Sequence, residues 1–315
     1  MTLLRIFRHS SGLPPDARGS VVAIGNFDGV HVGHQAVIGA AVERARALGV
    51  PSSALTFEPH PRMLFKPDAE PFRLTPLRPK AHALEELGVE ILIVLAFDWA
   101  FSAKSAEAFV EDVLVTGMAV SHVVVGADFV FGHDRLGTVQ RLAEMGRDLN
   151  FGVTALQPVA GPDGTVYSST AIRRALQAGE PRRAAALLGR PWEIEGRVEH
   201  GDARGRQLGF PTANIGLGDY LRPAFGVYAV EAGIDHGTRT EWHPGVANLG
   251  RRPTVAGLTE RLEVHLFDFD GDLYGRHLRV RLIEFLRPEK KFDGLDALRA
   301  QIARDLTEAR AILAH

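Results

Sequence analysis

Short apolar runs that alternate with segments of helical spacing constrain the fold of this chain more than any other feature. The runs Val21–Ile24, Ile91–Leu95 and Val123–Val125 are continuous rather than alternating, which is typical of strands whose two faces are both covered. Further strands are predicted at Ala54–Phe57 and Val153–Leu156. The helices between the strands are predicted at Gln35–Gly49, Pro79–Gly88, Ser105–Thr116 and Thr138–Asn150. This alternation predicts an α/β domain with a parallel sheet and helices on both sides.

The pattern changes in the second half of the chain. Pro181 suits a first helical turn and Gly189 a C-terminal cap, so two short helices are predicted to end the first domain. Strands separated by turn signals follow, and a shift of apolar parity at Ile283 predicts a β-bulge of the kind common in closed barrels. A final helix is predicted at Leu295–Leu313. We therefore predict two domains, residues 1–188 and residues 189–315.

The composition limits the classes of function. With a net charge of −2, the chain lacks the basic excess of a general nucleic-acid binder. It has no cysteine, which excludes thiolate nucleophiles and cysteine-ligated zinc. The amino-terminal segment lacks the apolar core of a signal peptide, and no run approaches the length of a membrane span. We expect a cytoplasmic protein that acts on small molecules and binds neither nucleic acid nor membrane; the sequence predicts no oligomeric state.

Two histidines three residues apart, His31 and His34, follow the first predicted strand and a Gly-Asn-Phe-Asp-Gly turn. The turn lies at the carboxyl end of a parallel strand, where α/β sheets bind ligands. The amides and the positive dipole at a helix start favour an anion, and imidazoles add donors for phosphate oxygens. The alternatives are two histidines that only cap and pack, or a zinc pair, which would need a third ligand. The turn residues predicted to contact a nucleotide are Gly25, Asn26, Phe27 and Asp28.

A second anion site is predicted in the segment YSSTAIRRAL. Ser168, Ser169 and Thr170 stand at a predicted helix start, and Arg173 follows one turn later. Hydroxyls, amides and a guanidinium on one turn can hold a phosphate. Because Ser-Ser-Thr is also simply a good helix cap, this segment indicates a phosphate site only in combination with the two histidines.

A third candidate segment, Gly201–Ile215, combines a glycine-rich turn with Pro-Thr-Ala-Asn. Glycine-rich loops expose backbone amides that can surround phosphates, although the chain contains no Gly-Lys pair of a Walker A loop. Thr212 and Asn214 occupy alternate positions and therefore face one side of an extended chain. Their side-chain oxygens suit Mg²⁺. The alternative is an ordinary Gly/Pro turn with a polar residue.

A glutamate lies on a predicted strand whose other face is apolar. Glu263 alternates with Leu262, Val264 and Leu266. A carboxylate in this setting is a candidate general base for a substrate hydroxyl, a role that typically contributes about 10²–10⁴-fold to the rate. The alternative is an ordinary glutamate that faces solvent.

Five segments of the first half resemble, in order, the FMN adenylyltransferase module of bacterial bifunctional riboflavin kinase/FAD synthetases. They are GNFDGVHVGH, TFEPHPR, LGVEILIVLAFDWAFSAKSAEAFV, VVGADFVFGHDRLG and SSTAIRRAL, within residues 20–178. The first contains the HxGH signature of the nucleotidyltransferase superfamily, so the resemblance implies a Rossmann-like domain.

The same resemblance implies roles for individual residues. His31 and His34 would hold the ATP phosphates, and Ser169, Thr170 and Arg173 would close over them. The residues that would shape the nucleotide and flavin pockets are Phe57, Pro59, His60 and Asp128. Two positions that depart from the commoner pattern on the flavin side are Val130, where arginine is frequent, and Tyr167, where an aliphatic residue is usual.

The second half resembles the riboflavin kinase module of the same enzymes over nearly all of residues 193–306. The segments are GRQLGFPTAN, GVYAV, GVANLGRRPTV, EVHLFDFDGDLYG and LRPEKKFDGLDALRAQIARD. This resemblance implies a six-stranded antiparallel β-barrel with a terminal helix near the flavin. Thr212 and Asn214 would bind the metal and the nucleotide phosphates, and Glu263 would activate the ribityl hydroxyl. The residues of the loop that would cover the phosphates are Gly205, Arg206 and Gly209.

Together the two resemblances imply transfer of phosphate from ATP to riboflavin, giving FMN, and adenylylation of FMN by a second ATP, giving FAD and pyrophosphate, with Mg²⁺ as cofactor. The residue types fit this division. An alcohol nucleophile needs a base and a metal, whereas a phosphate nucleophile needs only positioning and charge neutralisation. Three alternatives remain: a class I tRNA ligase fragment, a chain with one live activity, and a flavin-binding sensor without turnover. A tRNA ligase fragment is disfavoured, because the chain has neither a basic RNA-binding extension nor a Lys-Met-Ser-Lys-Ser-type loop.

Overall fold

A computed structural model describes residues 3–161, 164–199, 210–237, 239–254 and 257–314, with side chains left undescribed at 252–254 and 257–259. The chain divides into two compact units. The first comprises residues 1–69 and 75–168, and the second comprises residues 70–74 and 169–315. The segment 169–188 thus groups with the second unit, while the domain boundary near residue 188 stays a prediction.

The first unit is built on a six-stranded parallel sheet. Its strands, in chain order, are β1 (Arg5–Phe7), β2 (Val21–Ile24), β3 (Ser52–Glu58), β4 (Ile91–Ala96), β5 (His122–Gly126) and β8 (Gly152–Leu156). The order across the sheet is β1-β4-β3-β2-β5-β8, and every pair in it is parallel. A separate two-stranded ribbon consists of β6 (Val130–Phe131) and β7 (Gly137–Thr138). The parallel α/β fold is confirmed.

The helices of this unit lie between the strands, as the alternation predicts. They are α1 (Val32–Leu48), α2 (Pro61–Phe65), α3 (Leu77–Glu86), α4 (Trp99–Ser102), α5 (Ala106–Ala108), which continues as a π-helix over Phe109–Gly117, and α6 (Val139–Asp148). Two 3₁₀ turns occur at Pro15–Ala17 and His133–Arg135. Strand β1 was not predicted, because it has only three residues and Ile6 in its centre is 47% exposed, so no apolar run marks it.

The continuous apolar runs are explained by the two cores on either side of the sheet. In β2, Val22 and Ile24 belong to one core, and Val21 and Ala23 belong to the other. Successive side chains of a strand point to opposite faces, so a strand covered on both sides needs apolar residues at every position. The carboxyl ends of these strands therefore meet at one edge of the sheet, where the β2–α1 turn lies.

The second unit begins with two helices and continues as a closed antiparallel barrel. Its elements are α7 (Ser169–Gln177), α8 (Pro181–Leu188), β9 (Trp192–Glu199), β10 (Ala213–Gly216), β11 (Gly226–Asp235), β12 (Thr240–Thr254), β13 (Gly257–Leu266), β14 (His277–Pro288) and α9 (Leu295–Leu313). The strand order is β10-β13-β12-β11-β14-β9, and β9 pairs with β10 to close the barrel. The six-stranded barrel with a terminal helix is confirmed, as is the left-handed Gly189 cap after α8, with φ 75°.

The predicted bulge lies in β14. Ala229 pairs with Glu284 and Val230 with Leu282, which leaves Ile283 as an extra residue in β14. A second irregularity follows at the step between Val227 and Tyr228. Bulges of this kind bend a strand and let a small sheet close.

The terminal helix α9 covers part of the outer surface of the barrel. Val227, Ala229, Val246 and Phe267 form one apolar cluster with Ala309 of α9. Among the described residues, no helix combines the length and the apolarity needed to cross a membrane.

Candidate active sites

The turn between β2 and α1 holds an unusual backbone conformation. Phe27 and Val30 have φ values of 47° and 46°, and Gly29 has a φ of 97°. Positive φ is strained for a β-branched residue such as valine and persists where surrounding contacts enforce it. Here both side chains are buried, with Phe27 1% and Val30 0% exposed. The side chain of Gln35 also donates to the Val30 carbonyl at 2.9 Å. The turn is therefore a fixed support for the two histidines that follow.

His31 and His34 lie together at the start of α1. His31 is the N-cap residue, and its Nδ1 accepts a hydrogen bond from the backbone N–H of His34 at 3.3 Å. The two rings stack with centroids 3.6 Å apart and planes inclined by 20°. Because Nδ1 of His31 is an acceptor, the proton of the neutral ring is on Nε2, which is then the donor. Within the described residues, no third histidine or carboxylate completes a metal set at this pair.

The predicted nucleotide contact Asp28 is engaged inside the turn. Its carboxylate is 2% exposed, and Oδ1 accepts the backbone N–H of Thr75 at 3.0 Å. The Thr75 hydroxyl accepts the N–H of Gly29 at 2.8 Å and lies 3.4 Å from the carbonyl of Phe27. Asp28 and Thr75 therefore hold the turn in place. Thr75 had no signal in the local sequence, since it lies 46 residues from Gly29.

A fully buried lysine, which sequence reasoning also missed, lies beside the turn. Lys80 of α3 is 0% exposed, and its Nζ donates to the carbonyl of Asn26 at 2.7 Å. The same Nζ lies 3.3 Å from Oγ1 of Thr56 and 3.7 Å from a carboxylate oxygen of Glu58. The available signal was a lysine in the buried face of a helix, next to Ala81 and Leu84.

Aromatic side chains cluster near the carboxyl ends of β3 and β4. Phe57 contacts Phe97 and Phe101, with ring centroids 5.7 and 5.6 Å apart, and Phe65 contacts Phe97 and Trp99 at 6.0 and 5.7 Å. Trp99 is 65% exposed and Phe65 is 56% exposed. This aromatic cluster presents flat apolar surface to solvent. Only Phe57 of the five was predicted as a pocket residue.

The other predicted pocket residues lie at neighbouring strand ends. The Glu58–Pro59 peptide bond is cis, and His60 is the N-cap of α2, where its Nδ1 accepts the N–H of Arg62 at 3.1 Å. Asp128 follows β5, with its carboxylate folded back over Gly126. Pro59, His60 and Asp128 all follow the carboxyl end of a parallel strand, which is where α/β sheets bind ligands.

The predicted phosphate clamp begins the second unit. Ser168 precedes α7, which starts at Ser169 and Thr170. Arg173 of this helix donates from Nε to the carbonyl of Phe72 at 2.9 Å, and its guanidinium lies 5.4 Å from the Phe72 ring centroid. One donor of the guanidinium thus holds the segment 70–74. The action of Ser169, Thr170 and Arg173 on a phosphate stays a prediction.

A cavity of about 530 Å³ opens at the start of β10. Thr212 and Asn214 both line it, so the two alternate positions face one space. The loop after β13, residues 269–274, also lines the cavity and includes Asp270 and Asp272, whose Oδ1 accepts the N–H of Tyr274 at 2.9 Å. Sequence reasoning had not assigned these two aspartates. The predicted phosphate-covering residues Gly205, Arg206 and Gly209 lie outside the described residues.

Glu263 is not among the lining residues of this cavity, but its strand neighbour Val264 and its cross-strand partner Asn214 are. Its strand neighbours Leu262, Val264 and Leu266 are 0%, 1% and 5% exposed, which confirms the predicted apolar face. Glu263 pairs across the sheet with Asn214, a residue of the cavity wall. Its face is not simply open to solvent, because Phe267 on the same side is buried against α9. Nearby, Nδ1 of His265 lies 2.8 Å from the carbonyl of Pro211 and anchors the Pro-Thr-Ala-Asn segment.

Comparison with known proteins accounts for both units. A family model described as FAD synthetase matches residues 13–171, and one described as riboflavin kinase matches residues 188–313. A bifunctional riboflavin kinase/FMN adenylyltransferase of Escherichia coli strain K12 is 45% identical over 98% of this chain and 97% of its own length. One from Pseudomonas fluorescens is 47% identical over 99% of this chain and 98% of its own.

One solved structure resembles the whole chain. A crystal structure of a "macrolide-efflux protein" from Streptococcus pneumoniae is 32% identical, covers 96% of this chain and 97% of its own, and superposes with a TM-score of 0.81. The two family models follow the order of the two observed units, although the riboflavin kinase model begins at residue 188 and the second unit at residue 169. The chain therefore belongs to the bifunctional riboflavin kinase/FMN adenylyltransferase family of transferases.

Proposed function

We propose that the second unit phosphorylates riboflavin with ATP and that the first unit then adenylylates the FMN product. The observation that carries the assignment for the barrel is the pairing of Glu263 with Asn214 at the wall of the cavity. For the first unit, it is the stacked histidine pair at the start of α1.

In the kinase reaction, the terminal ribityl hydroxyl attacks the γ-phosphorus of ATP. The bond between the ribityl oxygen and the γ-phosphorus forms and gives FMN, the bond from that phosphorus to the oxygen bridging to the β-phosphate breaks, and ADP leaves. Glu263 accepts the hydroxyl proton, which is the role that an alcohol nucleophile requires. The barrel rim holds ATP in the cavity, while the face of β13 that carries Glu263 receives the flavin beneath α9.

Mg²⁺ fits the donor set of this cavity. Thr212 and Asn214 line one space, and hard cations prefer oxygen donors of the kind that their side chains carry, together with phosphate. Asp270 and Asp272, two acidic residues, line the same space. When bound, Mg²⁺ neutralises charge on the transferring phosphate. Thr212 and Asn214 are the residues that we propose hold it.

In the adenylyl transfer, the FMN phosphate attacks the α-phosphorus of a second ATP. A new phosphate–phosphate bond forms, the bond between the α- and β-phosphates breaks, and pyrophosphate leaves. The nucleophile is already an anion, so no base is needed. His31 and His34 donate to phosphate oxygens at the positive end of α1, and preorganised donors of this kind are worth about 2.7–4 kcal/mol each.

The remaining residues of the first site contribute to shape. Phe57, Pro59, His60 and Asp128 line the region at the strand ends, and the aromatic cluster offers its exposed rings to the flat isoalloxazine of FMN. Ser169, Thr170 and Arg173, at the start of α7, are proposed to bind phosphate. Such small-molecule substrates and a net charge of −2 support a cytoplasmic enzyme that needs neither nucleic acid nor membrane.

The test is to incubate the purified chain with riboflavin, ATP and Mg²⁺ and to identify the products by chromatography. We expect FMN, ADP, FAD and pyrophosphate. His31→Ala should abolish FAD formation and leave FMN formation intact, and Glu263→Ala should abolish FMN formation while FAD still forms from supplied FMN. Loss of FMN formation in His31→Ala, or loss of FAD formation from supplied FMN in Glu263→Ala, would contradict two independent sites. Binding of flavin without any product would identify a sensor instead.

A further inference from the structure

A row of three polar residues crosses the outer face of the barrel at one level. Glu263 of β13 pairs with Asn214 of β10 on one side and with Asn248 of β12 on the other. Directly paired residues of antiparallel strands point to the same face, with Cβ atoms about 4.5–5.5 Å apart. Glu263 therefore has an asparagine beside it on each neighbouring strand. Asn214 already belongs to the cavity wall; Asn248 has no role in the reaction as described so far.

The position of Asn248 within its own strand sets it at the edge of the site. Val246, two residues earlier on the same face, packs against α9. Two polar side chains approach Gly250, two residues later, closely. A Cβ placed there would lie 3.0 Å from Nδ2 of Asn248 and 2.3 Å from Oε1 of Glu289. A glycine is needed to admit both. Asn248 thus lies between the helix-covered part of the face and a crowded polar part.

We infer that Asn248 is a positioning residue for the kinase reaction, one that holds the Glu263 carboxylate toward the acceptor hydroxyl of riboflavin. A general base acts only within hydrogen-bond reach of the proton that it takes, and a misplacement of about 1 Å can cost about 10²-fold in rate. A carboxamide donates N–H without competing for the proton. It therefore suits a neighbour of the base better than a hydroxyl or a second carboxylate would.

This inference rests on the proposed function, and its test separates the two. The full chain is compared with Asn248→Leu, Asn248→Asp and Asn248→Gln in steady-state assays of FMN formation. The formation of FAD from supplied FMN, measured on the same samples, reports the integrity of the chain. Glu241→Gln is the matched control, since it changes a polar, half-exposed side chain on the same strand that has no part in the proposed site.

We expect kcat for FMN formation to fall roughly 10- to 100-fold in Asn248→Leu, with KM for riboflavin and ATP within about twofold of the parent chain. In Asn248→Asp, kcat should fall further than in Asn248→Leu. The side-chain volume is preserved, but the variant places a like charge beside Glu263. Asn248→Gln, which keeps the donor, should retain most of kcat. A merely structural role would give the reverse order, with the isosteric aspartate tolerated best and the longer glutamine worst.

The pair is tested directly by combining Asn248→Leu with Glu263→Gln. If Asn248 acts through Glu263, the double variant should be no slower than Glu263→Gln alone. Additive losses, or a rise in KM with unchanged kcat, would overturn the inference while leaving the proposed function in place. A parent chain that forms no FMN would instead reject the proposed function. Should Asn248→Leu also lose FAD formation, the isosteric Asn248→Asp decides the outcome.

Discussion

The ammonium of Lys80 lies 2.7 Å from the carbonyl oxygen of Asn26, in the turn that leads into the His31–His34 pair. The lysine is 0% exposed, so its charge is stabilised by protein groups rather than by water. Thr56 links the same two residues, because its hydroxyl donates to Asn26 at 3.2 Å and lies 3.3 Å from Nζ of Lys80. The turn that leads to the proposed phosphate donors is thus fixed by a hydrogen bond from a buried, charged lysine.

Loss of this charge should slow adenylyl transfer. A hydrogen bond to a charged group is worth about 1.5–3 kcal/mol, so Lys80→Met should lower kcat for FAD formation by roughly tenfold or more. FMN formation should be unaffected. Lys104→Met is the matched control, because that lysine makes an ion pair with Asp112 at the surface of the same unit. Equal loss of FAD formation in the two variants, measured by product chromatography, would show that Lys80 has no particular effect on the turn.

The aromatic cluster should determine affinity for FMN. Stacking on an aromatic ring is worth about 0.5–1.5 kcal/mol beyond the area that it buries, so Trp99→Ala should raise KM for FMN in FAD formation by up to roughly tenfold, with KM for ATP unchanged. Leu136→Ala removes an even more exposed apolar side chain, 76% exposed, from the same unit but outside the cluster. An unchanged KM for FMN in Trp99→Ala, or an equal rise in Leu136→Ala, would mean that the flavin binds elsewhere.

The parts of the molecule that could be predicted are those encoded over short distances in the chain. The continuous apolar runs at Val21–Ile24 and Val123–Val125 indicate by themselves that both faces of these strands are buried. The position of the histidine pair depends only on one turn and the helix start that follows it. Lys80 and Thr75 reach the same turn across more than 40 residues, and no local pattern reports such a contact. The Asn248–Glu263 pairing likewise depends on strand register, which the alternation of β13 alone does not fix.

A buried histidine at the opposite end of the parallel sheet should make the first unit sensitive to mild acid. His122 is 7% exposed, and its Nε2 lies 2.8 Å from Oγ1 of Thr154. Burial, assisted by the charge of Arg44, lowers the pKa of His122 below its ordinary value of 6.5. The unfolded chain then binds more protons than the folded one. The resulting stabilisation is complete above pH 6.5 and is lost as the pH falls toward the folded-state pKa.

Thermal unfolding followed by circular dichroism at pH 7.5 and pH 5.5 measures this dependence. The melting temperature of the parent chain should be lower at pH 5.5 than at pH 7.5, and the decrease should be smaller in His122→Asn. His133→Asn, which replaces a histidine whose side chain is 58% exposed in the same unit, should fall as much as the parent chain. The prediction fails if the two variants respond alike.

The contact of α9 with the barrel depends on one buried ion pair. Arg287 of β14 donates from Nε and Nη2 to the two carboxylate oxygens of Asp305 at 2.9 and 2.7 Å, and Asp305 is 4% exposed. Removing one partner of such a pair leaves a partly buried charge and typically costs about 3–5 kcal/mol. Asp305→Ala should therefore destabilise the second unit by about 3 kcal/mol in urea unfolding.

Asp305→Ala should also lower the rate of FMN formation, because α9 packs on the same side of β13 as Glu263, through Phe267. Asp268→Asn provides the control: it removes the charge that pairs with Arg310 of the same helix at an exposed site, and asparagine tolerates the φ of 53° at this position. That variant should unfold near the parent midpoint and retain FMN formation. If Asp305→Ala instead unfolded with the midpoint of Asp268→Asn, the helix would be held by its apolar contacts to Phe267 and Val246 rather than by the buried charge.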